Sequence, residues 1–203
     1  QRAEQYVGRE LVAAIEADCQ SKYLKTIPSL RECFGNRDAP VIVVRGNHDF
    51  VDLAEWIGGD VWEVDKNPSR RLEFEGWRIG GFRGIRYIGG EWSDELRSDA
   101  MCDIMAYLPK ETEILISHPP PTGVFDTFPN GIGVIKSGGV LEMRESMREK
   151  SAIAGPLELH MFGHVHESRN VGYVERTTFS NAATTANLIR LSPTKESEYE
   201  RLD

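Results

Sequence analysis

Four of the five histidines in this chain of 203 residues stand just after short apolar runs. His48 follows Val41-Ile42-Val43-Val44 through Arg45-Gly46-Asn47, and His118 follows Ile114-Leu115-Ile116-Ser117. His164 and His166 follow the run from Leu157 to Phe162 through Gly163. Imidazole nitrogens are borderline ligands for divalent metals, and a carboxamide oxygen such as that of Asn47 can join them. Imidazole is also the side chain that exchanges a proton near neutral pH. In His164-Val165-His166 the i, i+2 spacing lets a turn or strand end aim two rings at one locus. Glycine at 46 and 163 allows a positive φ and a close backbone approach to a metal or phosphate. If the three runs are neighbouring strands, their carboxyl ends gather Asn47, His48, His118, His164 and His166 into one patch. Arg45 adjoins it, and a guanidinium matches phosphate bidentately.

Such a patch needs strands that end together. Val41 to Val44 is a continuous β-branched run of the kind buried on both faces of a sheet, and open α/β sheets carry their sites at the carboxyl edge. Upstream, Val7, Leu11, Ile15 and Cys19 recur every four residues and predict an amphipathic helix. Downstream, a short helix over Val51 to Ile57 precedes β-like stretches at Val61 to Val64, Leu72 to Glu75 and Trp77 to Phe82. Ser93 is placed to cap a helix with Asp94 and Glu95 in its first turn and Leu96, Ala100, Ile104 and Leu108 as its stripe, stopped by Pro109. Pro119 to Gly139 is too long and too rich in Gly and Pro for a mere connection, which predicts a binding loop. A helix from Val140 to about Lys150 returns the chain. Strands at Val171 to Glu175, Thr177 to Ser180 and Asn187 to Leu191 close a single domain over residues 1–192, and the charged stretch 193–203 reads as a loose tail.

Composition narrows the function classes. With 24 Lys and Arg against 32 Asp and Glu, the net charge is −8, which argues against a broad grip on long nucleic acid. No stretch approaches the roughly 18 apolar residues of a membrane span. Cys19, Cys33 and Cys102 are odd in number and lack a C-x-x-C spacing, so they read as reduced thiols in the cytoplasm.

Gly46-Asn47-His48-Asp49, Ser117-His118-Pro119-Pro120 and Gly163-His164-Val165-His166, in that order at strand ends, resemble the last three motifs of the calcineurin-like metallophosphoesterases. One tripeptide would be weak; the ordered set is specific. The resemblance runs from about residue 40 to 182, and Phe162 to Glu167 with the Pro-Pro loop is most similar to the small phosphodiesterase branch that includes the brain metallophosphoesterase-domain proteins. It implies an α/β fold, a four-layer αββα sandwich of two mixed sheets flanked by helices. It also implies two divalent metal ions (Mn, Fe or Zn) at the strand ends, where a metal-activated hydroxide attacks a phosphoester. Asn47, His118 and His164 would be ligands of the second metal, His166 a ligand of the first, and His48 the catalytic group that assists the leaving oxygen.

The family's upstream Asp-x-His and Gly-Asp-x-x-Asp do not occur before Gly46. Gly59-Asp60-Val61-Trp62-Glu63 mimics the second of them but falls after Asn47, so it reads as a decoy. Two accounts fit: a chain lacking its first strand and loop, or a degenerate member that no longer catalyses. The retained His48 and His166 favour the first. The expected activity is hydrolysis of a phosphodiester, a small nucleotide or short diester; the alternative is a non-catalytic module that binds a protein partner, as in the retromer's metallophosphoesterase-like scaffold subunit.

Taken singly, several residues have plainer readings. His160 alternates with apolar neighbours and reads as a structural strand residue. Asp49 reads as bonded within its own turn, Asn181 as turn chemistry, and Arg83 and Arg86 as solvated surface. Trp56, Trp62, Trp77 and Trp92 read as core or rim aromatics.

Overall fold

Residues 114–116 carry apolar side chains at consecutive positions, and the fold buries them on both faces. The computed structural model describes helical residues Ala14, Ala17, Asp18, Ser21, Lys22 and Lys25, and then residues 41–49, 53–57, 61–64, 69–88, 92, 94–129, 135–149, 157–174, 177–192 and 197–202. The elements in chain order are β1 (Val41–Val43), α1 (Leu53–Ile57), β2 (Val61–Glu63), β3 (Leu72–Phe74), β4 (Trp77–Phe82), β5 (Ile85–Arg86), β6 (Glu95–Leu96) and α2 (Ser98–Tyr107). Then follow β7 (Ile114–Ser117), β8 (Thr127–Pro129), β9 (Ile135–Ser137), α3 (Leu141–Glu149) and β10 (Leu159–Phe162). A 3-10 turn at His166–Ser168 leads into β11 (Asn170–Val174), β12 (Thr177–Asn181), β13 (Ala186–Leu191) and β14 (Ser197–Leu202).

The main sheet has six strands in the order β11-β12-β10-β7-β4-β3. Its four central strands run parallel and its two outer ones antiparallel, making it mixed. On one face Leu115 and Phe82 pack with Met101 and Met105 of α2 and Met143 of α3. On the other, Ile114, Ile116 and Leu159 meet Ile42, Val44 and Trp62 from the parallel pair β1-β2, and Ile189 and Leu191 from the pair β13-β14. The fold is thus the α/β sandwich that the motifs imply, sheet against sheet with helices outside. β7 and β10 lie in the middle of the sheet, which is why Ile114, Leu115 and Ile116 are apolar without alternation. No helix among the described residues is long and apolar enough to cross a membrane.

Several details differ from the sequence reading. β1 is half-buried rather than enclosed on both faces, and it belongs to a different sheet from β7 and β10. The helix expected from Ser93 begins at Ser98, with Arg97 at its N-cap. Asp94 sits at a φ of 57°, off the helical path, and Glu95–Leu96 pair with Ile85–Arg86 instead. The buried stripe of α2 is accordingly Met101 and Met105. The long loop contains a small hairpin, β8-β9. The expected loose tail supplies β14, with Glu198 opposite Arg190 in the ladder; charged side chains do not prevent a strand whose pairing uses backbone groups. The stripe residues Val7, Leu11, Ile15 and Cys19 lie outside the described residues.

Leu115 is fully buried in the central strand. Leu115→Ala is expected to cost about 2–5 kcal/mol of stability, read by urea denaturation.

Candidate functional site

The loops after β1, β7 and β10 converge where the two sheets meet. Asn47 Oδ1 lies 2.8 Å from His118 Nε2, and His164 Nδ1 lies 3.1 Å from the same His118 nitrogen. The two imidazole rings are edge to face, with centroids 4.9 Å apart. Asn47 is buried, and both rings are half-buried. His48 and His166 are exposed beside them.

The backbone makes this approach possible in two places. A Cβ on Gly46 would stand 2.7 Å from His118 Cε1, so only glycine lets the β1 turn lie against that ring. His164 itself takes a φ of 67°, an uncommon setting for a side-chain-bearing residue that turns its ring back over the sheet edge. Asp49 Oδ2 accepts the Gly46 N–H at 2.6 Å and closes the turn. Asn181 secures the other side. Its Nδ2 donates to the carbonyls of Val165 (2.9 Å), Ser168 (3.1 Å) and Phe125 (3.2 Å), tying the His164 loop and the long Pro loop to β12.

The electrostatics keep the rings neutral. Burial first, then the imidazoles of His164, His48 and His166, push His118 down to about 3. Burial, then His166 and His48, pushes His164 down to about 4. His118 and His164 therefore each lie within electrostatic reach of both His48 and His166. His160 lies apart, fully buried, with its pKa lowered to about 3 by burial.

The donor set fits a divalent cation. Adjacent ligands about 2.1 Å from a metal lie about 3.0–3.4 Å apart along the edges of an octahedron or tetrahedron, close to the 2.8 and 3.1 Å that separate His118 Nε2 from Asn47 Oδ1 and His164 Nδ1. A single imidazole nitrogen offers either one proton or one lone pair, so His118 Nε2 cannot donate to Asn47 and accept from His164 at once. With both rings neutral and lone pairs on Asn47 Oδ1, His118 Nε2 and His164 Nδ1, the three atoms would suit a cation. Among the described residues no three His, Cys, Asp or Glu side chains form a metal cluster; here the third donor is a carboxamide.

Arg45, the expected phosphate contact, has an acidic partner. Its Nε lies 2.8 Å from Glu63 Oε1, and the Glu63 side chain is nearly inaccessible. Arg83 also faces Glu63, at 3.9 Å, and Asp94, at 3.2 Å, so it is not the solvated surface residue expected. Two guanidiniums compensate the buried Glu63 carboxylate, and they brace the β1 turn from behind. Burial raises the Asp49 carboxyl, opposed by its Gly46 bond and reinforced by Asp94 and Glu63. Trp92 is a further neighbour, its ring edge-on to His48 with centroids 4.5 Å apart. The rim reading of the tryptophans held out that possibility without indicating the contact.

A family model described as calcineurin-like phosphoesterase matches residues 14–168. The chain belongs to that family. Phosphoester hydrolysis is the general chemistry of calcineurin-like phosphoesterases, and divalent metals are their general cofactors. The human metallophosphoesterase domain-containing protein 1 is 29% identical over 120 residues, covering 55% of this chain and 35% of the relative. UPF0046 protein K07C11.7 of Caenorhabditis elegans is 30% identical over 157 residues, covering 70% and 51% respectively. The chain thus spans about half of these relatives or less. A solved crystal structure superposes with a TM-score of 0.65 over 99% of this chain and 83% of its own, at 15% identity; it shares the fold.

Two outcomes follow from this geometry. Gly46→Ala should displace the His118 ring, moving its NMR signals while leaving the far-ultraviolet circular dichroism unchanged. Because His118, His160 and His164 have depressed folded pKa values, the unfolded chain binds more protons between those values and about 6.5. Stability of the chelator-treated protein is therefore full above that range and declines as pH falls through it. Asp49 and Asp94, whose pKa values are raised, oppose this only toward the carboxylate range. The melting temperature should be lower at pH 5 than at pH 7.5; an equal or higher value would contradict the assignment.

Proposed function

We propose that this protein is a metal-dependent phosphodiesterase acting on a small diester, such as a nucleotide or another short diester. The observation that carries the proposal is the convergence of Asn47 Oδ1, His118 Nε2 and His164 Nδ1 at the meeting of the two sheets. These three would hold one divalent ion, and His166 would contribute to a second. Divalent ions bound there supply Lewis acidity, polarising the phosphoryl oxygens and making a water molecule acidic enough to attack near neutral pH.

The chain's own residues do the rest. The neutral His118 and His164 rings present lone pairs without first losing a proton at physiological pH. Asn47, buried at the end of β1, adds an uncharged donor that needs no deprotonation. His48, exposed and edge-on to Trp92, stands at the mouth, where it can give its proton to a departing alkoxide. Arg45 contributes through Glu63, holding the turn that carries Asn47 and His48. The acidic surface, with net charge −8, disfavours long nucleic acid and leaves a small diester, which needs only the metals and a few donors.

The leaving group provides the test. Hydrolysis of bis(p-nitrophenyl) phosphate with Mn²⁺ should vanish on chelation. His48→Ala should slow turnover of an alkyl diester by about 10²–10⁴-fold, and that of the p-nitrophenyl diester far less, since p-nitrophenoxide departs without a proton. Equal losses on both would remove His48 from the leaving-group role. Full turnover in chelator would overturn the metal-dependent reading.

A further inference from the structure

The turn that carries His118 is short of hydrogen-bond donors. Three consecutive prolines, Pro119 to Pro121, follow it, and none has a backbone N–H. Gly163 N–H reaches the His118 carbonyl at 3.0 Å. The Pro119 carbonyl is satisfied differently, by the buried Ser117 hydroxyl at 2.7 Å. A carbonyl can only accept, so the single Ser117 proton is committed to Pro119. Ser117 Oγ also lies 2.8 Å from His160 Nε2. With its proton already used, that oxygen can only accept, and His160 must present Nε2–H. The ring is then the Nε2–H tautomer, with a bare Nδ1 that is buried and has no hydrogen-bond partner among the described residues. Leaving a buried acceptor unmet is costly. An apolar side chain on β10 would avoid that cost, as Leu159 does on the opposite face, so the Nε2–H is the group that accounts for an imidazole at this place.

We propose that His160 is a positioning residue. Its Nε2–H fixes the Ser117 hydroxyl on the Pro119 carbonyl and so holds the turn in the setting that aims His118 Nε2 at Asn47 and His164. The directed chain runs from β10, through β7, to the loop, and its purpose rests on the reading of the trio as a metal site. Gln can place an N–H where Nε2 stands, whereas Leu cannot, and this distinguishes donation from bulk.

The test uses the whole chain. In ¹⁵N spectra at pH 7, His160 should show a protonated Nε2 and an unprotonated Nδ1; the opposite tautomer or a doubly protonated ring would overturn the proposal. Titration with Mn²⁺ alone should show affinity reduced about 10–100-fold in His160→Leu and Ser117→Ala, and restored close to wild type in His160→Gln. In the metal-free protein, His118 ring signals should shift in His160→Leu and return in His160→Gln. Wild-type affinity and unmoved His118 signals in His160→Leu would overturn the positioning role. If His118→Ala binds Mn²⁺ as wild type does, the metal reading fails instead, and the tautomer and the His118 signals then decide the role of His160 by themselves.

Discussion

The proposed site depends on bringing the donor atoms of three loops together at one place. Two half-buried imidazoles and a buried carboxamide bring Asn47 Oδ1 and His164 Nδ1 within 2.8 and 3.1 Å of His118 Nε2, an arrangement that water-filled surfaces do not maintain. It persists because the polypeptide supplies the constraint from three loops at once. Burial keeps the rings neutral, and the apolar strands beneath them fix where the loops emerge. The two-sheet core is in this sense the instrument that sets a distance of about 3 Å between atoms 46 and 71 residues apart in sequence.

Around the trio lies a second layer of buried polar groups, each assigned to one loop. Asn181 binds three carbonyls from two loops, Ser117 with His160 secures the entrance to the Pro-rich loop, and Glu63 with Arg45 and Arg83 braces the β1 turn. None of these groups points at the trio, yet each has its own desolvation to offset. Buried hydrogen bonds and ion pairs rigidify what they touch, and His160 keeps its bond to Ser117 at the cost of a bare Nδ1. Here they sit where an error of an ångström would separate the donors.

Much of this was legible in the sequence because it is local. Apolar runs that break off at histidine-bearing turns announce both a buried strand and its functional end, and β7 and β10 follow that rule within two residues. Asp49 closing its own turn and Asn181 Oδ1 accepting from the Ala183 N–H are likewise short-range habits, whereas the bonds from Asn181 Nδ2 to Val165, Ser168 and Phe125 reach across loops. What escaped is long-range. The ion pairs that engage Arg45 and Arg83 depend on Glu63, which the sequence presents only as part of a false motif. The start of α2 moved because β6 competes for Glu95 and Leu96, a pairing with no local signature. His160 looked like one more strand residue, since its alternation reveals burial and not the hydroxyl waiting 43 positions away.

The central claim is that the three donor atoms hold a divalent cation. Anomalous diffraction from crystals of the protein equilibrated with Mn²⁺ addresses it most directly. The account predicts a peak about 2.0–2.2 Å from Asn47 Oδ1, His118 Nε2 and His164 Nδ1. A well-occupied peak elsewhere, or none between these atoms at saturating Mn²⁺, would contradict it.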